Sequence, residues 1–426
     1  MEPIRSVKGT HDILPDESPR WRYIESTVHR IAALYNFLEV RTPVFEETQV
    51  FARGVGEYTD IVTKEMYTFL DKGKTSLTLK PELTAPVVRS YIQHHYNQTY
   101  PVNKLYYLTP LFRQERPQAG RQRQFHQYGT EILGSEFPEA DAETIAFAMQ
   151  VYEQLGIRSP DSPDQIDLRI NSIGDSACRP QYLETLREAL APHKADLCKT
   201  CQQRFDENTL RLFDCKNESC QLILEEHAPR ITEHLCEDCA THFRSVLSQL
   251  DALDIPYTVD HTLVRGLDYY TRTTFEITSD LLGAQDALCG GGRYDLLVEQ
   301  LGGPPTPAVG FAAGIERLLL ALEALDAFPD FTDRLDLFIV TIGDEVRSRA
   351  FRILRDLRNR GVSCDTDLLR RSVKAQFREA NRQNATYTMV LGENELQARE
   401  ATIKEMESGE ETAVPFEGLA GFFSQP

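Results

Sequence analysis

The densest run of chemistry-bearing side chains is Phe112-Arg113-Gln114-Glu115-Arg116-Pro117-Gln118-Ala119-Gly120-Arg121-Gln122-Arg123-Gln124-Phe125-His126-Gln127. Arg113, Arg116, Arg121 and Arg123 could converge there, and guanidinium forks grip phosphate oxygens two at a time. Several together suit a triphosphate or the end of a nucleic acid. Charge alone would equally make an exposed basic hairpin tip. The residues that follow favour a site: Gln127, Gly129 and Glu131 alternate, and side chains two apart share one face of a strand. A polar row is costly where a core strand would be apolar. A second isolated arginine, Arg265, sits between Val264 and Gly266, just ahead of Tyr269 and Tyr270.

Six of the nine cysteines cluster: Cys198-x-x-Cys201, Cys215, Cys220 and Cys236-x-x-Cys239. Two C-x-x-C pairs can bring their thiolates to one tetrahedral metal, which makes Cys198, Cys201, Cys236 and Cys239 weak zinc candidates. Reduced thiols of an intracellular protein are the alternative. Six thiols exceed the four that one zinc uses, so a structural zinc is allowed but not favoured. Gly73-Lys74-Thr75 looks like the end of a phosphate-binding P-loop, but Thr68 stands where its first glycine belongs. It reads as a turn.

The elements that must hold these residues follow from periodicity. Lys104–Phe112 and Gln124–Leu133 read as antiparallel strands joined by the polar loop Arg116–Arg123. Trp21, Ile24, Val28, Ile31 and Leu34 recur at helical spacing over residues 21–40, with a strand-like piece from Leu38 running into Pro43; a second helix covers 141–155. Further strands are expected at Ile166–Ile173, Tyr257–Val264 and Thr273–Thr278, and Gly310–Leu325 reads as one apolar helix. Residues 326–334 have no period and read as a linker. After it Leu335–Thr341, Arg347–Arg360, Val362–Thr366, Ser372–Gln383 and Thr388–Leu391 alternate strand with helix, as in an α/β layer with a mainly parallel sheet. The expected architecture is an α+β body on a mainly antiparallel sheet (residues 1–325), interrupted by a helical, cysteine-rich insertion at about 176–254. An α/β module (335–426) follows the linker.

A chain of 426 residues accommodates two or three domains. Its net charge of −19 argues against a surface that grips nucleic acid everywhere. A local basic footprint remains: ten arginines and Lys374 lie between Arg347 and Arg382 against Asp356, Asp365, Asp367 and Glu379, a local +7. Met1–Asp16 carries no signal pattern, and no apolar run approaches the roughly 20 residues needed to cross a bilayer. A soluble, cytoplasmic enzyme is the expectation.

The arginine-rich run resembles motif 2 of the class II aminoacyl-tRNA synthetases, in the form found in histidyl-tRNA synthetases. Lys8-Gly9-Thr10-His11-Asp12 resembles the opening of that family, Glu39-Val40-Arg41-Thr42-Pro43 its motif 1, and Gly310-Phe311-Ala312-Ala313-Gly314-Ile315-Glu316-Arg317 its motif 3. Leu263-Val264-Arg265-Gly266-Leu267-Asp268-Tyr269-Tyr270 and Gly290-Gly291-Gly292-Arg293-Tyr294-Asp295 resemble its histidine-specific segments. The class I signature peptides are absent.

The resemblance implies ATP-dependent activation of L-histidine, then transfer to the 3′ end of histidine tRNA. The attacking carboxylate is already an anion, so alignment and charge stabilisation matter more than a general base. Arg113 and Arg265 would be the catalytic pair on the α-phosphate. Glu115, Arg121, Glu316 and Arg317 would complete the ATP site, with Mg2+ accompanying the nucleotide. Glu82, Thr84 and Gln127 would hold the substrate amino group; Leu83 stands where the family commonly has glycine. Glu131 and the Tyr270 hydroxyl match the two ring nitrogens of a neutral imidazole, with Tyr269 and Tyr294 as walls. Arg116, Gln118 and Arg123 would meet the tRNA acceptor end, the +7 run would face the anticodon, and motif 1 implies a homodimer. The rival reading is the catalytically inactive, synthetase-like regulatory subunit of histidine biosynthesis, which should lack the C-terminal module and degrade Arg265 and the motif-2 loop.

Overall fold

The computed structural model describes residues 3–56, 59, 61–118, 120–158, 166–331 and 334–423. Residues 1–2 of the N-terminal stretch, 332–333 of the expected linker and 424–426 of the C-terminal module lie outside the described residues. The chain falls into two compact units, Met1–Pro329 and Asp330–Pro426. No helix among the described residues is long and apolar enough to cross a membrane.

In chain order the first unit has β1 (Leu38–Glu39), then β2 (Phe45–Glu47), β3 (Tyr67–Leu70) and β4 (Ser76–Leu79), which form a small sheet of their own. It continues with β5 (Asn103–Phe112), β6 (Gln124–Leu133), β7 (Asp167–Ser172), β8 (Thr258–Val259), β9 (Thr271–Thr278), β10 (Ala287–Arg293) and β11 (Ala308–Gly314). The main sheet runs β1-β5-β6-β11-β10-β9-β7-β8. Its six inner strands pair antiparallel, while the short edges β1 and β8 pair parallel. Gly73-Lys74-Thr75 is the turn between β3 and β4, closed by Lys74 N–H on the Asp71 carbonyl at 3.0 Å.

Side-chain alternation gives this sheet two chemically different faces. On one, Tyr128 and Ile132 of β6, Val309 and Phe311 of β11, Phe275 and Ile277 of β9, and Leu168 and Ile170 of β7 form the core. The helices Ser18–Leu34, Pro138–Gln154, Glu237–Ala252 and Ile315–Ala324 cover that face. The first begins with proline in its opening turn, where a missing N–H costs nothing, and buries Trp21, Ile24, Val28 and Ile31. Each such side chain contributes about 1.5–3 kcal/mol on burial.

Gly310–Leu325 is not one helix. Gly310–Gly314 completes β11 and the helix starts at Ile315. The positions of β11 that face away from the core are Gly310, Ala312 and Gly314, so its alternation sets small residues against apolar ones, and such a run looks the same in either state. The strand expected over Tyr257–Val264 is only the two-residue β8. The insertion is helical, with Arg179–Leu190, Lys199–Glu207 and Glu218–His227 before the core helix Glu237–Ala252.

The second unit has β12 (Leu337–Thr341), β13 (Cys364–Thr366), β14 (Tyr387–Leu391), β15 (Glu400–Glu405) and β16 (Glu411–Pro415), in the order β13-β12-β14-β15-β16. β12 is parallel to β13 and β14, whereas β15 and β16 add an antiparallel hairpin that periodicity did not reveal. Much of the basic run is locally paired: Arg347 binds Asp344, and Arg371 and Arg382 share Glu379.

Candidate active site

The face of the main sheet opposite the core carries Tyr107 and Thr109 of β5, Gln127, Gly129 and Glu131 of β6, Gly310, Ala312 and Gly314 of β11, Gly290 and Gly292 of β10, and Glu276 of β9. Polar side chains and glycines replace the hydrophobic residues of the other side. Over this floor lies a pocket of about 630 Å³, lined among others by Glu82, Arg113, Gln127, Arg265, Tyr270 and Arg317.

Arg113 follows the last residue of β5, and its backbone N–H bonds the Arg123 carbonyl at 2.9 Å, closing the base of the loop. Its Nε donates to the Pro81 carbonyl at 2.9 Å, and its guanidinium stacks 5.2 Å above the Phe125 ring. Glu115 stands between two cations, 3.8 Å from Arg113 and 3.4 Å from Arg121. Arg265 enters from the loop between β8 and β9 and donates through Nη1 to Glu276 at 2.8 Å. Burial of this guanidinium opposes its charge, but the groups around it, led by Glu276 and then Tyr270, together outweigh that and raise its pKa. The close approach requires glycine at 290: a Cβ there would lie 2.0 Å from Arg265 Nη2.

Arg317 occupies the first turn of the helix Ile315–Ala324 and donates to the Ala287 carbonyl. Burial, then the nearby cations Arg121 and Arg113, push its pKa down despite Glu276 and Glu115. Like charges crowded in one partly dry pocket are relieved by an anionic ligand. Glu316 receives the backbone N–H and faces the ring of His126, with the bonds near 3.0 Å, and so ties this helix to β6.

At the other end, Glu82 caps the helix Thr84–Gln93. Its oxygens accept the N–H groups of Thr84 and Ala85 at 2.8 and 3.1 Å, and burial pushes its carboxyl up to about 7. Thr84 donates through its hydroxyl to Glu131 at 2.8 Å. Glu131 lies in the floor but is fully buried, and also accepts from Tyr107 and Tyr294. Burial pushes its carboxyl up to about 8. Room for it comes from Gly310, where a Cβ would fall 1.8 Å from Oε2. Tyr269 and Tyr270 line the pocket, their rings 4.7 Å apart, and Tyr294 packs against Tyr269 from below.

Of the residues singled out from the sequence, Glu82, Thr84, Arg113, Glu115, Arg121, Gln127, Arg265, Tyr269, Tyr270, Glu316 and Arg317 meet around this pocket. Arg116 and Gln118 stand exposed on the loop. Arg123 is turned into the protein instead, donating to the carbonyls of Glu115 and Lys8, while its N–H bonds Gly9. Arg293 is structural: fully buried, it clamps Asp141 and reaches Asp295 and two backbone carbonyls. Sequence reasoning missed Glu276, whose alternation in β9 was visible, and Tyr107. It also missed Asp214 and Lys216, which the insertion contributes to the pocket wall with no local signal.

The cysteine pairing expected from the two C-x-x-C motifs is not the one that forms. Cys198 and Cys201 gather with Cys215 and Cys220, while Cys236 and Cys239 gather with Asp175 and Cys178. Joining the two C-x-x-C motifs failed because each finds its other two partners elsewhere: Cys215 and Cys220 for the first, and Asp175 and Cys178, from the far end of the insertion, for the second.

An antiparallel sheet whose solvent-side face carries convergent arginines and a motif-2 hairpin defines the catalytic unit of a class II aminoacyl-tRNA synthetase. Residues 9–318 match the family model for histidyl-tRNA synthetase, and 336–425 match an anticodon binding domain. The chain belongs to the histidyl-tRNA synthetase family. It is 48% identical to the histidine–tRNA ligase of Natranaerobius thermophilus, with 97% of each chain covered. It is likewise 48% identical to that of Halothermothrix orenii, with 98% of each covered. The crystal structure of apo S. aureus histidyl-tRNA synthetase superposes with a TM-score of 0.83 at 42% identity, covering 99% of this chain and all of that one.

Proposed function

We propose that this protein is a histidine–tRNA ligase: it condenses L-histidine with ATP to histidyl-adenylate and pyrophosphate, then transfers histidine to its tRNA. The observation that carries this reading is the meeting of Arg113, Arg265 and Arg317 over a floor that also holds Glu82, Gln127 and Tyr270. One half of the pocket suits polyphosphate, the other a small polar amino acid.

The histidine carboxylate oxygen attacks the α-phosphorus, and the bond to the bridging oxygen of pyrophosphate breaks. Arg113 and Arg265 approach the α-phosphate from opposite sides and take up charge on its oxygens. Arg121 and Glu115 serve the outer phosphates and their Mg2+, and Arg317 lies over the adenine, held beside Glu316. Glu82, Thr84 and Gln127 receive the amino group. Tyr270 meets the imidazole directly. Glu131 acts indirectly, its carboxyl group fixing Thr84 and Tyr294 so that the tyrosine walls hold their place.

In the transfer step Arg116 and Gln118, exposed on the loop, meet the acceptor end, with Arg123 bracing that loop against Lys8 and Gly9. Residues 1–325 would form the catalytic domain and 335–426 the anticodon-binding domain, with 326–334 between them. The exposed apolar side chains Leu38, Val44 and Phe45, beside motif 1, support a homodimer. The role places the enzyme in the cytoplasm. Histidine-dependent exchange of pyrophosphate into ATP by the purified protein tests the assignment. Its absence would leave the regulatory-subunit reading.

A further inference from the structure

We propose that the insertion holds two structural zinc ions, one on Cys198, Cys201, Cys215 and Cys220, the other on Asp175, Cys178, Cys236 and Cys239. Within each group one ligand atom from every residue lies within 4.8 Å of all the others. A tetrahedral zinc with Zn–S bonds of about 2.3 Å sets its sulfurs roughly 3.8 Å apart, and Cys198 Sγ and Cys215 Sγ are 3.9 Å apart. A multi-iron cluster would spread its thiolates wider, so a single ion with a soft, tetrahedral preference fits.

The two groups share one local design. Cys198 caps the helix Lys199–Glu207 and Cys201 sits in its first turn; Cys236 and Cys239 do the same for Glu237–Ala252. Cys220 lies in the opening turn of Glu218–His227, and Cys178 caps Arg179–Leu190. Helix starts present unpaired N–H groups and a positive dipole end to the sulfurs they hold, which favours thiolate. Around the first group two backbone N–H groups already point at sulfur: Cys198 N–H at Cys220 Sγ, 3.2 Å, and Asn217 N–H at Cys215 Sγ, 3.5 Å.

At the second group the chain makes room for the sulfur. Gly174 has φ +65°, and a Cβ there would lie 2.7 Å from Cys178 Sγ. Three thiolates and a carboxylate around one Zn2+ leave a net charge of −2. Arg272 stands 3.4 Å from Asp175, and Arg179 bonds the Ile173 and Gly174 carbonyls beside it. Binding displaces thiol protons at both sites.

These ions would do different work. The first gathers the short helices of the insertion, whose apolar interior includes Leu197, Leu212 and Leu224 together with the thiols of Cys201, Cys215 and Cys220. The second staples both ends of the insertion to the end of β7. There Arg179 also donates to the Tyr270 carbonyl at 2.7 Å, which carries the staple to the substrate pocket.

The test is elemental analysis of the full-length protein purified under reducing, chelator-free conditions. Two zinc per chain are expected. Cys220→Ser and Cys236→Ser should each retain one. Should either variant fail to fold, stripping the native protein with a chelator under reducing conditions should lower its Tm, and added Zn2+ should restore it. One zinc or none per chain in the native protein, iron in its place, disulfides by intact mass, or variants with unchanged zinc would each overturn the proposal. Pyrophosphate exchange is read separately, so loss of the zinc proposal leaves the ligase assignment standing.

Discussion

Gly290→Ala should separate folding from catalysis in this protein. The added methyl would lie 2.0 Å from Arg265 Nη2 and 2.3 Å from Cζ. Ordinary contact is about 3.5 Å, so the guanidinium must withdraw by more than an ångström and leave Glu276. Only the mobile end of one side chain is displaced, and the glycine backbone is not in the left-handed region, so the fold should lose no more than about 1 kcal/mol. The transition state loses far more. A misplacement of about 1 Å can cost 100-fold, and a missing preorganised donor costs roughly 100- to 1,000-fold, about 2.7–4 kcal/mol. Histidine-dependent pyrophosphate exchange should therefore fall by at least about 100-fold, mainly in kcat, with Tm close to the parent's. Exchange at the parent rate with the protein folded would refute the placement of Arg265 against the reacting phosphate.

Three further outcomes follow from the same arrangement. Burial lifts the carboxyls of Glu82 and Glu131 to about 7 and about 8, above their unfolded values of about 4.3, so the native state holds these protons more tightly. Their contribution is full below the unfolded value and is lost progressively as pH rises from there through the folded values; urea midpoints should drop between about pH 4 and pH 8 and level off above, and Glu131→Gln should flatten that drop. Asp141→Asn leaves buried Arg293 with Asp295 as its remaining carboxylate partner, so urea denaturation should show a loss of up to about 3–5 kcal/mol. The parent Asp141 resists acid, because Arg293 and His242 outweigh burial and hold its carboxyl at about 2. Arg116→Ala combined with Gln118→Ala should leave pyrophosphate exchange intact while slowing tRNA charging; equal loss of both reactions would place these side chains in the first step instead.

What could be read from the sequence depended on whether its physical cause was local. The hairpin of β5 and β6 was legible because alternation and a polar loop lie within one short stretch. The polar row Gln127, Gly129 and Glu131 does mark the face that carries the pocket. The depth of Glu131 was not legible, since it is set by Gly310 on the neighbouring strand and by hydroxyls from Thr84, Tyr107 and Tyr294. β11 was mistaken for helix because its pocket-side positions, Gly310, Ala312 and Gly314, are small rather than polar, so the alternation leaves little contrast. The hairpin β15–β16 escaped notice because its residues Glu400–Glu405 and Glu411–Pro415 are largely charged and polar, with few buried positions. Partners of the cysteines could not be chosen from spacing, because Asp175 and Cys178 are more than fifty residues from Cys236 in sequence.

The two-faced sheet also limits how such a chain can change its length. Core and pocket residues are interleaved one by one along β6, β10 and β11, so both depend on the same strand pairing. Adding or deleting one residue within β6 would carry Tyr128, Thr130 and Ile132 into the substrate pocket and Gln127, Gly129 and Glu131 into the oil of the core. Neither side could adjust without the other. Length variation is therefore confined to places that do not shift this pairing: the motif-2 loop, the turn at Lys74, and above all the insertion between β7 and β8, which leaves and rejoins the sheet without altering the strands that flank it.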